Sequence, residues 1–249
     1  MKTWFVFILF ISFSFFTHAS ELKKKMWNDF TGTLGYSHIK MSLYILTNGG
    51  VVGTYFNTKT EKEIDLDGFV KKDSIYLTEF TGDTTFGYFS GVITSDFMNK
   101  IEGFWTDISK KKLRNFSVEL STMCYGTKEN RYSENIYGTK QEIETFTKEL
   151  KEAVLTKNRD WLTNNISFPI TVTVGQNRLV TIKDKNDFSI YFDKILSDSF
   201  VEKIKKSTTI NLFSKEEGVV FGDCQEIIIN NTSNSSKNKY KLCIIAVNN

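Results

Sequence analysis

Residues 39–45, which read Ile39-Lys40-Met41-Ser42-Leu43-Tyr44-Ile45, decide the fold class of the first half of the chain. Apolar and polar residues alternate in this stretch, and successive side chains of a β-strand point to opposite faces. A strand here would therefore place Ile39, Met41, Leu43 and Ile45 together on one face. An apolar face backed by a polar one is typical of an antiparallel sheet that covers a core on one side.

The same period of two extends from Trp27 to Leu120, and residues 64–69 repeat it clearly. The candidate strands are 30–37, 39–46, 51–57, 62–70, 74–80, 85–94, 100–106 and 113–120. Turn signals such as Asn48-Gly49-Gly50 separate them, which predicts an antiparallel meander. Eight strands suffice to close a small barrel, and closure removes the exposed sheet edges. We therefore predict an antiparallel β-barrel for residues 20–124, with a two-sheet sandwich as the alternative.

The N-terminus has the pattern of an export signal. Lys2 is followed by an apolar run over residues 4–16 and then by small residues around Ala19. A positive start, a short apolar core and small residues at the end predict a signal peptide over 1–19, cut after Ala19. Spanning a bilayer takes about 20 apolar residues, more than this run provides, and this disfavours the alternative, an uncleaved anchor. We expect an exported protein, periplasmic or secreted, with no stable membrane span after cleavage.

Composition excludes several functional classes. The 249 residues carry 32 Lys and Arg against 29 Asp and Glu, and this balance argues against nucleic-acid binding. Only His18 and His38 occur, and His18 would leave with the signal. His38 alternates with Ile39 and so is expected to face solvent. The sequence contains no zinc-ligand spacing, no phosphate-binding glycine motif and no nucleophile motif, so we expect no metal, no cofactor and no catalytic residue.

The character of the chain changes after Cys124. Residues 125–138 are polar and aperiodic, which predicts a linker. Thr139 and Glu142 then fit a capping box, in which each side chain satisfies a free backbone N–H group at a helix start. Helical spacing follows over 139–156, and further helices are predicted to begin at Asp184 and at Ser197 or Asp198. Strands are expected at 168–174, 179–182, 208–214, 218–230 and 239–247.

The second half resembles the NTF2-like, cystatin-like α+β superfamily. The resemblance rests on the amphipathic helix 139–156, the Trp161-Leu162 and Phe168-Pro169-Ile170 stretches, and the late strands over 208–247. It implies that residues 139–249 form a curved sheet wrapped by helices around a conical pocket. The family has no universal catalytic motif, so it supplies no site residue. The first half is similar to small β-barrel modules of exported bacterial proteins.

Export would permit disulfides, and all three cysteines lie after the predicted signal. Cys224 and Cys243 flank the polar, turn-rich stretch 230–239 almost symmetrically. Residues placed symmetrically about a hairpin turn face each other across an antiparallel pair. We therefore predict a Cys224–Cys243 disulfide and a free Cys124.

Aromatic residues supply the candidate contact surface. Residues 86–89 and 103–105 would place large rings on both faces of their strands, so one set of rings faces outward. We expect that outer set to bind a partner, together with acidic residues near the open end of the second sheet. The candidate binding residues are Tyr88, Trp105, Asp223 and Glu226.

Two functional hypotheses follow. The first is an exported, non-enzymatic binding protein that grips another protein or a cell-envelope component, for example a periplasmic inhibitor or immunity protein. The second is a small-molecule enzyme or carrier that uses the conical pocket, with Tyr191 and Asp193 pointing into it. A pocket plugged by Phe192 and Phe213 would argue against the second hypothesis.

Overall fold

The computed structural model describes residues 22–95, 99–174, 178–234 and 239–248. A closed barrel of eight antiparallel strands is followed by a six-stranded sheet with four helices. The predicted signal peptide, residues 1–19, lies outside the described residues. Within the described ranges, none of the helices combines the length and the apolar character needed to cross a bilayer.

The barrel is an up-and-down meander in which each strand pairs with the next and the last pairs with the first. Its strands are β1 (Trp27–Leu34), β2 (Ser37–Ile45), β3 (Gly50–Asn57), β4 (Glu63–Lys71), β5 (Ser74–Thr81), β6 (Thr84–Thr94), β7 (Lys100–Asp107) and β8 (Leu113–Cys124). The barrel prediction is thus confirmed over the sandwich. The first strand lies earlier than expected because Gly35, with a φ of 57°, and Tyr36 form a two-residue turn.

Alternating side chains of the barrel strands face the interior and the exterior, as the sequence predicts. Ile39, Met41, Leu43 and Ile45 all face the interior and are at most 2% exposed. His38, on the opposite face, is exposed as expected. The interior is packed by one cluster of aliphatic and aromatic side chains rather than left open.

The second domain packs its helices against a mixed sheet. The helices are α1 (Lys140–Leu155), α2 (Arg159–Asn165), α3 (Lys185–Ile195) and α4 (Asp198–Lys206). The strands are β9 (Ile170–Val174), β10 (Arg178–Ile182), β11 (Phe213–Lys215), β12 (Gly218–Phe221), β13 (Ile227–Asn234) and β14 (Lys239–Val247). Their order is β10-β9-β14-β13-β12-β11, antiparallel except for the β14–β9 pair. The predicted caps are confirmed: Thr139 and Glu142 form a capping box, and the side chains of Asp184 and Ser197 cap α3 and α4.

Two predicted strands are shorter than expected. The stretch 208–214 is extended only from Phe213, because Asn211 adopts a φ of 50°. The stretch 218–230 is two strands separated by a loop in which Gly222 and Gln225 have positive φ values of 101° and 61°. Since few side chains favour that region, the chain turns there instead of continuing the strand.

The predicted Cys224–Cys243 disulfide is not formed. All three cysteines are free thiols. Cys224 lies in the loop between β12 and β13 and is exposed, whereas Cys243 is buried opposite Asn230 in the β13–β14 hairpin. The prediction was wrong because strand register pairs Cys243 with Asn230, while Cys224 precedes β13, which begins at Ile227.

Residues 125–138, which we call the junction, connect the two domains; most of them are exposed, but Arg131, Tyr132 and Ile136 are buried at the domain boundary. Arg131 and Tyr132 are 1% and 0% exposed. The Arg131 guanidinium donates to both carboxylate oxygens of Asp29 on β1, at 3.1 and 2.6 Å. It also donates to the Ser42 hydroxyl at 2.6 Å and to the Leu212 carbonyl at 3.1 Å. This one side chain therefore ties together the barrel, the junction and the second sheet.

Further carboxylates of the barrel are bound by donors of the second domain. Glu63 accepts from Lys140 at 2.6 Å and from Asn211 at 2.9 Å. Glu61 accepts from the Thr209 hydroxyl at 2.7 Å and lies 3.4 Å from the Lys151 ammonium. The second domain is thus fixed against the outer side of the first four strands.

Candidate functional site

The outer side of β4–β7, away from the second domain, carries a set of exposed aromatic rings. We call the rings of Phe69, Tyr76, Tyr88 and Phe104 the aromatic face. Their residues are 48%, 42%, 39% and 51% exposed. Strand register brings them together, since Phe69 pairs with Tyr76, and both Tyr76 and Phe104 pair with Ser90.

The geometry of this face is that of a preformed contact surface. The Phe69 and Tyr76 rings lie 5.1 Å apart between centroids, within the range in which aromatic pairs attract. Ser90, Thr78 and Thr106 lie between the rings, so the centre of the face carries no charge. Rings mounted on a closed barrel are held by paired backbone on both sides and lose little conformational freedom on binding.

Trp105, predicted to belong to this face, points into the barrel. It is 8% exposed, and its neighbour Phe104 takes the outward position. Trp105 pairs with Phe89, another interior residue, so the two share the inner face. Room for the indole comes from Gly87, where the Cβ atom of any larger residue would lie 2.7 Å from the Trp105 Nε1 atom.

Inside the barrel, Trp105 helps to bind a buried carboxylate. Its Nε1–H group donates to Glu79 Oε2 at 2.9 Å, and the Tyr55 hydroxyl donates to the same oxygen at 2.5 Å. Glu79 is 4% exposed. Burial, followed by the hydrogen bond and the charge of Glu79, raises the pKa of Tyr55 well above its usual range. The Tyr55 hydroxyl therefore stays protonated, and the three groups form a fixed polar network within the apolar interior.

Asp223 and Glu226 have different environments. Glu226 is 2% exposed, and its Oε2 atom accepts from the Cys224 N–H group at 2.9 Å, so it shapes its own loop and is not available to a partner. Asp223 is exposed and lies 3.7 Å from the Lys40 ammonium on β2. The two acids predicted to act together with Tyr88 are therefore not part of the aromatic face.

Asp223 instead borders a cleft between the two domains, with a volume of about 540 Å³. The barrel wall contributes hydroxyl groups such as Thr31 and Thr122, and the second domain contributes Thr208 and Gln225. Lys40 reaches across the cleft and donates to the Thr208 hydroxyl at 3.3 Å. Apolar side chains such as Met41 and Val220 line the rest of the cleft, and its size is within the range of small-molecule sites.

The two pocket residues of the enzyme or carrier hypothesis, Tyr191 and Asp193, line none of the three main clefts formed by the described residues. Asp193 is exposed on the outer side of α3. Tyr191 is half-buried against the core, and the Lys194 ammonium lies 5.8 Å from its ring. Phe192 is buried in the core between the helices and the sheet, whereas Phe213 packs at the domain boundary beside Trp27.

Among the residues that the structure describes, no group of three or more His, Cys, Asp or Glu side chains converges in a way that could hold a metal ion. Comparisons with family models, with curated proteins and with solved structures return no match at the level required for a relationship. The site is therefore argued from its geometry.

Sequence reasoning missed three members of the aromatic face, Phe69, Tyr76 and Phe104, although the signal was present. Each occupies an alternating position of its strand, and each is followed or preceded by an interior residue. The sequence of one strand shows which side chains share a face, but only the pairing register shows which side chains of neighbouring strands lie next to each other. Arg131 was missed because its partner Asp29 lies 102 residues away in the chain.

Proposed function

We propose that this protein is an exported binding protein that holds another protein against its aromatic face. The observation that carries the proposal is the row of exposed rings on β4–β7 with uncharged residues between them. Protein interfaces are enriched in aromatic residues and depleted of Lys, Glu and Asp at their centres. Scattered apolar residues are normal on a surface, but a contiguous aromatic set on a rigid support is typical of an interaction site.

The proposed compartment and domain relationships are consistent with this role. The apolar run over 4–16 and the small residues near Ala19 support export. The order of helices and strands from α1 to β14 supports an NTF2-like second domain. An inhibitor or immunity protein that neutralises an exported enzyme is the concrete form that we favour, since such proteins act by tight binding and need no catalytic group.

Site-specific photocrosslinking tests the proposal and captures the partner whatever its identity. A photoreactive phenylalanine analogue replaces Tyr76, in the middle of the aromatic face, and crosslinks are collected from the exported fraction. We expect one discrete product that is lost when Tyr88 and Phe104 are changed to Ala, because aromatic anchors commonly contribute about 2 kcal/mol or more each. The same analogue at Leu179, 71% exposed on the second domain, is the matched control.

Two outcomes would contradict the proposal. Equal crosslinking from Tyr76 and Leu179 would show non-specific collision rather than a site. Full partner capture by the double Ala variant, with an unchanged circular dichroism spectrum, would show that the aromatic face is not the contact. Trp105→Ala is unsuitable for this test because it removes a buried group and is expected to destabilise the barrel itself.

The interdomain cleft supports a second candidate function, binding of a small polar molecule. The specific observation is a cleft of about 540 Å³ whose walls carry hydroxyl and amide side chains from both domains. Sugars and peptides match such a lining because they exchange hydrogen bonds with hydroxyl groups. A ligand that raises Tm for the wild type but not for Thr31→Val would place binding in the cleft; no stabilisation across sugar and peptide libraries would reject it.

A further inference from the structure

One end of the barrel carries exposed apolar side chains mixed with basic ones. We define the barrel tip as the β1–β2 turn, the β7–β8 turn with the first residues of β8, and the first residues of β6. Its apolar members are Tyr36, Phe86, Ile108 and Leu113, which are 107%, 45%, 59% and 64% exposed. Its basic members are Lys110, Lys111, Lys112 and Arg114, all exposed.

These residues are neighbours in space. The Ile108 N–H group donates to the Phe86 carbonyl at 3.0 Å, which joins the β7–β8 turn to β6. The Gly35 N–H group donates to the Asn115 carbonyl at 2.8 Å, which joins the β1–β2 turn to β8. The three segments therefore form one continuous surface, with Tyr36 at one side and Phe86 at the other.

The charge of the tip is positive. Asp107, the acid of the β7–β8 turn, accepts from the Ser109 hydroxyl at 2.5 Å and from the Lys112 N–H group at 2.7 Å, so its carboxylate is directed into its own turn. In the part of the chain that the structure describes, none of the three lysine ammonium groups lies within 4.0 Å of a carboxylate oxygen, and only Lys112 interacts with the charge of Asp107. The lysine ammonium groups are thus available to an anionic surface.

We propose that the barrel tip docks on the surface of an anionic lipid bilayer. Apolar side chains on protruding turns can enter the boundary between headgroups and acyl chains, while adjacent lysines contact anionic headgroups. An acidic protein is the less suitable occupant, because lysine is depleted from protein interfaces and because the fully exposed Tyr36 protrudes from the surface. The aromatic face begins next to the tip, since Phe86 and Tyr88 share the outer face of β6, but its centre carries Ser and Thr residues instead of lysines.

Vesicle sedimentation of the full chain tests the proposal. The two vesicle types are pure phosphatidylcholine and a mixture of three parts phosphatidylcholine with one part phosphatidylglycerol. Because the apolar run over 4–16 can bind any bilayer, the readout is the ratio of binding to anionic over neutral vesicles. We expect a ratio well above one that falls on the order of a hundredfold when Lys110, Lys111 and Lys112 are changed to Gln, since each lysine near an anionic surface contributes roughly fivefold.

Apolar variants complete the design. Changing Tyr36 and Ile108 to Ser should weaken binding to anionic vesicles by roughly tenfold or more, because the apolar contact is lost while the charge is kept. Changing Leu179 and Ile190 to Ser, two equally exposed apolar residues of the second domain, should leave binding unchanged. An unaltered ratio in the lysine variant would overturn the proposal. Binding to soluble polyglutamate without binding to anionic vesicles would also overturn it, in favour of an acidic protein.

Discussion

Arg131→Met should destabilise the protein by several kcal/mol. The Arg131 side chain has no exposed surface, and the Asp29 side chain is 12% exposed. Burial opposes the charge of Arg131, but the charge and hydrogen bond of Asp29, together with Cys124 and Tyr132, outweigh this effect and raise the pKa of the guanidinium. Loss of the guanidinium leaves the Asp29 carboxylate buried with the Ser42 hydroxyl as its remaining side-chain donor, at 2.6 Å. Removing one partner of such a buried pair costs about 3–5 kcal/mol.

Thermal and urea unfolding measure this effect. For a chain of this size, 1 kcal/mol corresponds to about 2–4 °C in Tm, so we expect a decrease of roughly 6–20 °C. Arg178→Met, which removes an exposed arginine from β10, is the matched control and should change stability by no more than about 0.5 kcal/mol. Comparing the two variants distinguishes the effect of losing a buried, paired arginine from the effect of losing any positive charge.

A second variant tests the reason for the loss. In the double variant Asp29→Leu with Arg131→Met no charge remains buried, and apolar groups replace the pair. We expect it to recover most of the stability lost in the single variant, because a buried ion pair is often no better than apolar residues of similar volume. A Tm for Arg131→Met within about 2 °C of the wild type would refute the reasoning, as would a double variant less stable than the sum of both single changes.

Three further predictions concern other parts of the structure. Tyr55→Phe removes one of the two hydrogen-bond donors to the buried Glu79 carboxylate and should lower the free energy of unfolding in urea by about 1–3 kcal/mol. An unchanged unfolding midpoint would contradict the Tyr55–Glu79 hydrogen bond. Burial alone would raise the pKa of Glu63, but Lys140 and neighbouring donors hold it below the usual value of 4.5. Above pH 4.5 the charged Glu63 carboxylate therefore stabilises the fold, and this contribution is lost as the pH falls through its folded pKa. Glu63→Gln should lower Tm near neutral pH and have little effect in strong acid. A Tm difference between wild type and variant that does not change with pH would contradict this. In the native protein only the exposed Cys224 thiol should react with a thiol reagent, and all three thiols should react in denaturant. A single reactive thiol after unfolding would show that the predicted disulfide forms.

The barrel could be predicted from sequence because its information is local. Alternation in 39–45 specifies which side chains face inward, and turn residues specify where strands end. Each strand pairs with its neighbour in the chain, so topology follows once the strands are counted. Helix starts at Thr139 and Asp184 were equally predictable, because a cap is a contact within three residues.

The contacts that build the candidate site could not be predicted in the same way. Trp105 and Phe104 are adjacent large rings, and alternation says that they face opposite ways without saying which one is inside. Gly87 on the neighbouring strand decides it by leaving space for the indole. Likewise the polar composition of 125–138 predicted a linker but gave no sign of the long-range pairing that buries Arg131 within it.

The second domain covers one part of the outer surface of the barrel and leaves another part free, and this difference supports the proposed function. Outward carboxylates on β1 and at the start of β4 are bound from this side: Asp29 by Arg131 of the junction and Glu63 by Asn211 of the second domain. The outward rings of the aromatic face lie on the other side, where Phe69 and Tyr76 contact each other and all four rings are partly exposed. If the barrel served only to support the second domain, that free side would need no more than ordinary polar residues to stay soluble. An exposed aromatic set costs solubility, so its presence on the side left free is better explained by a partner that covers it.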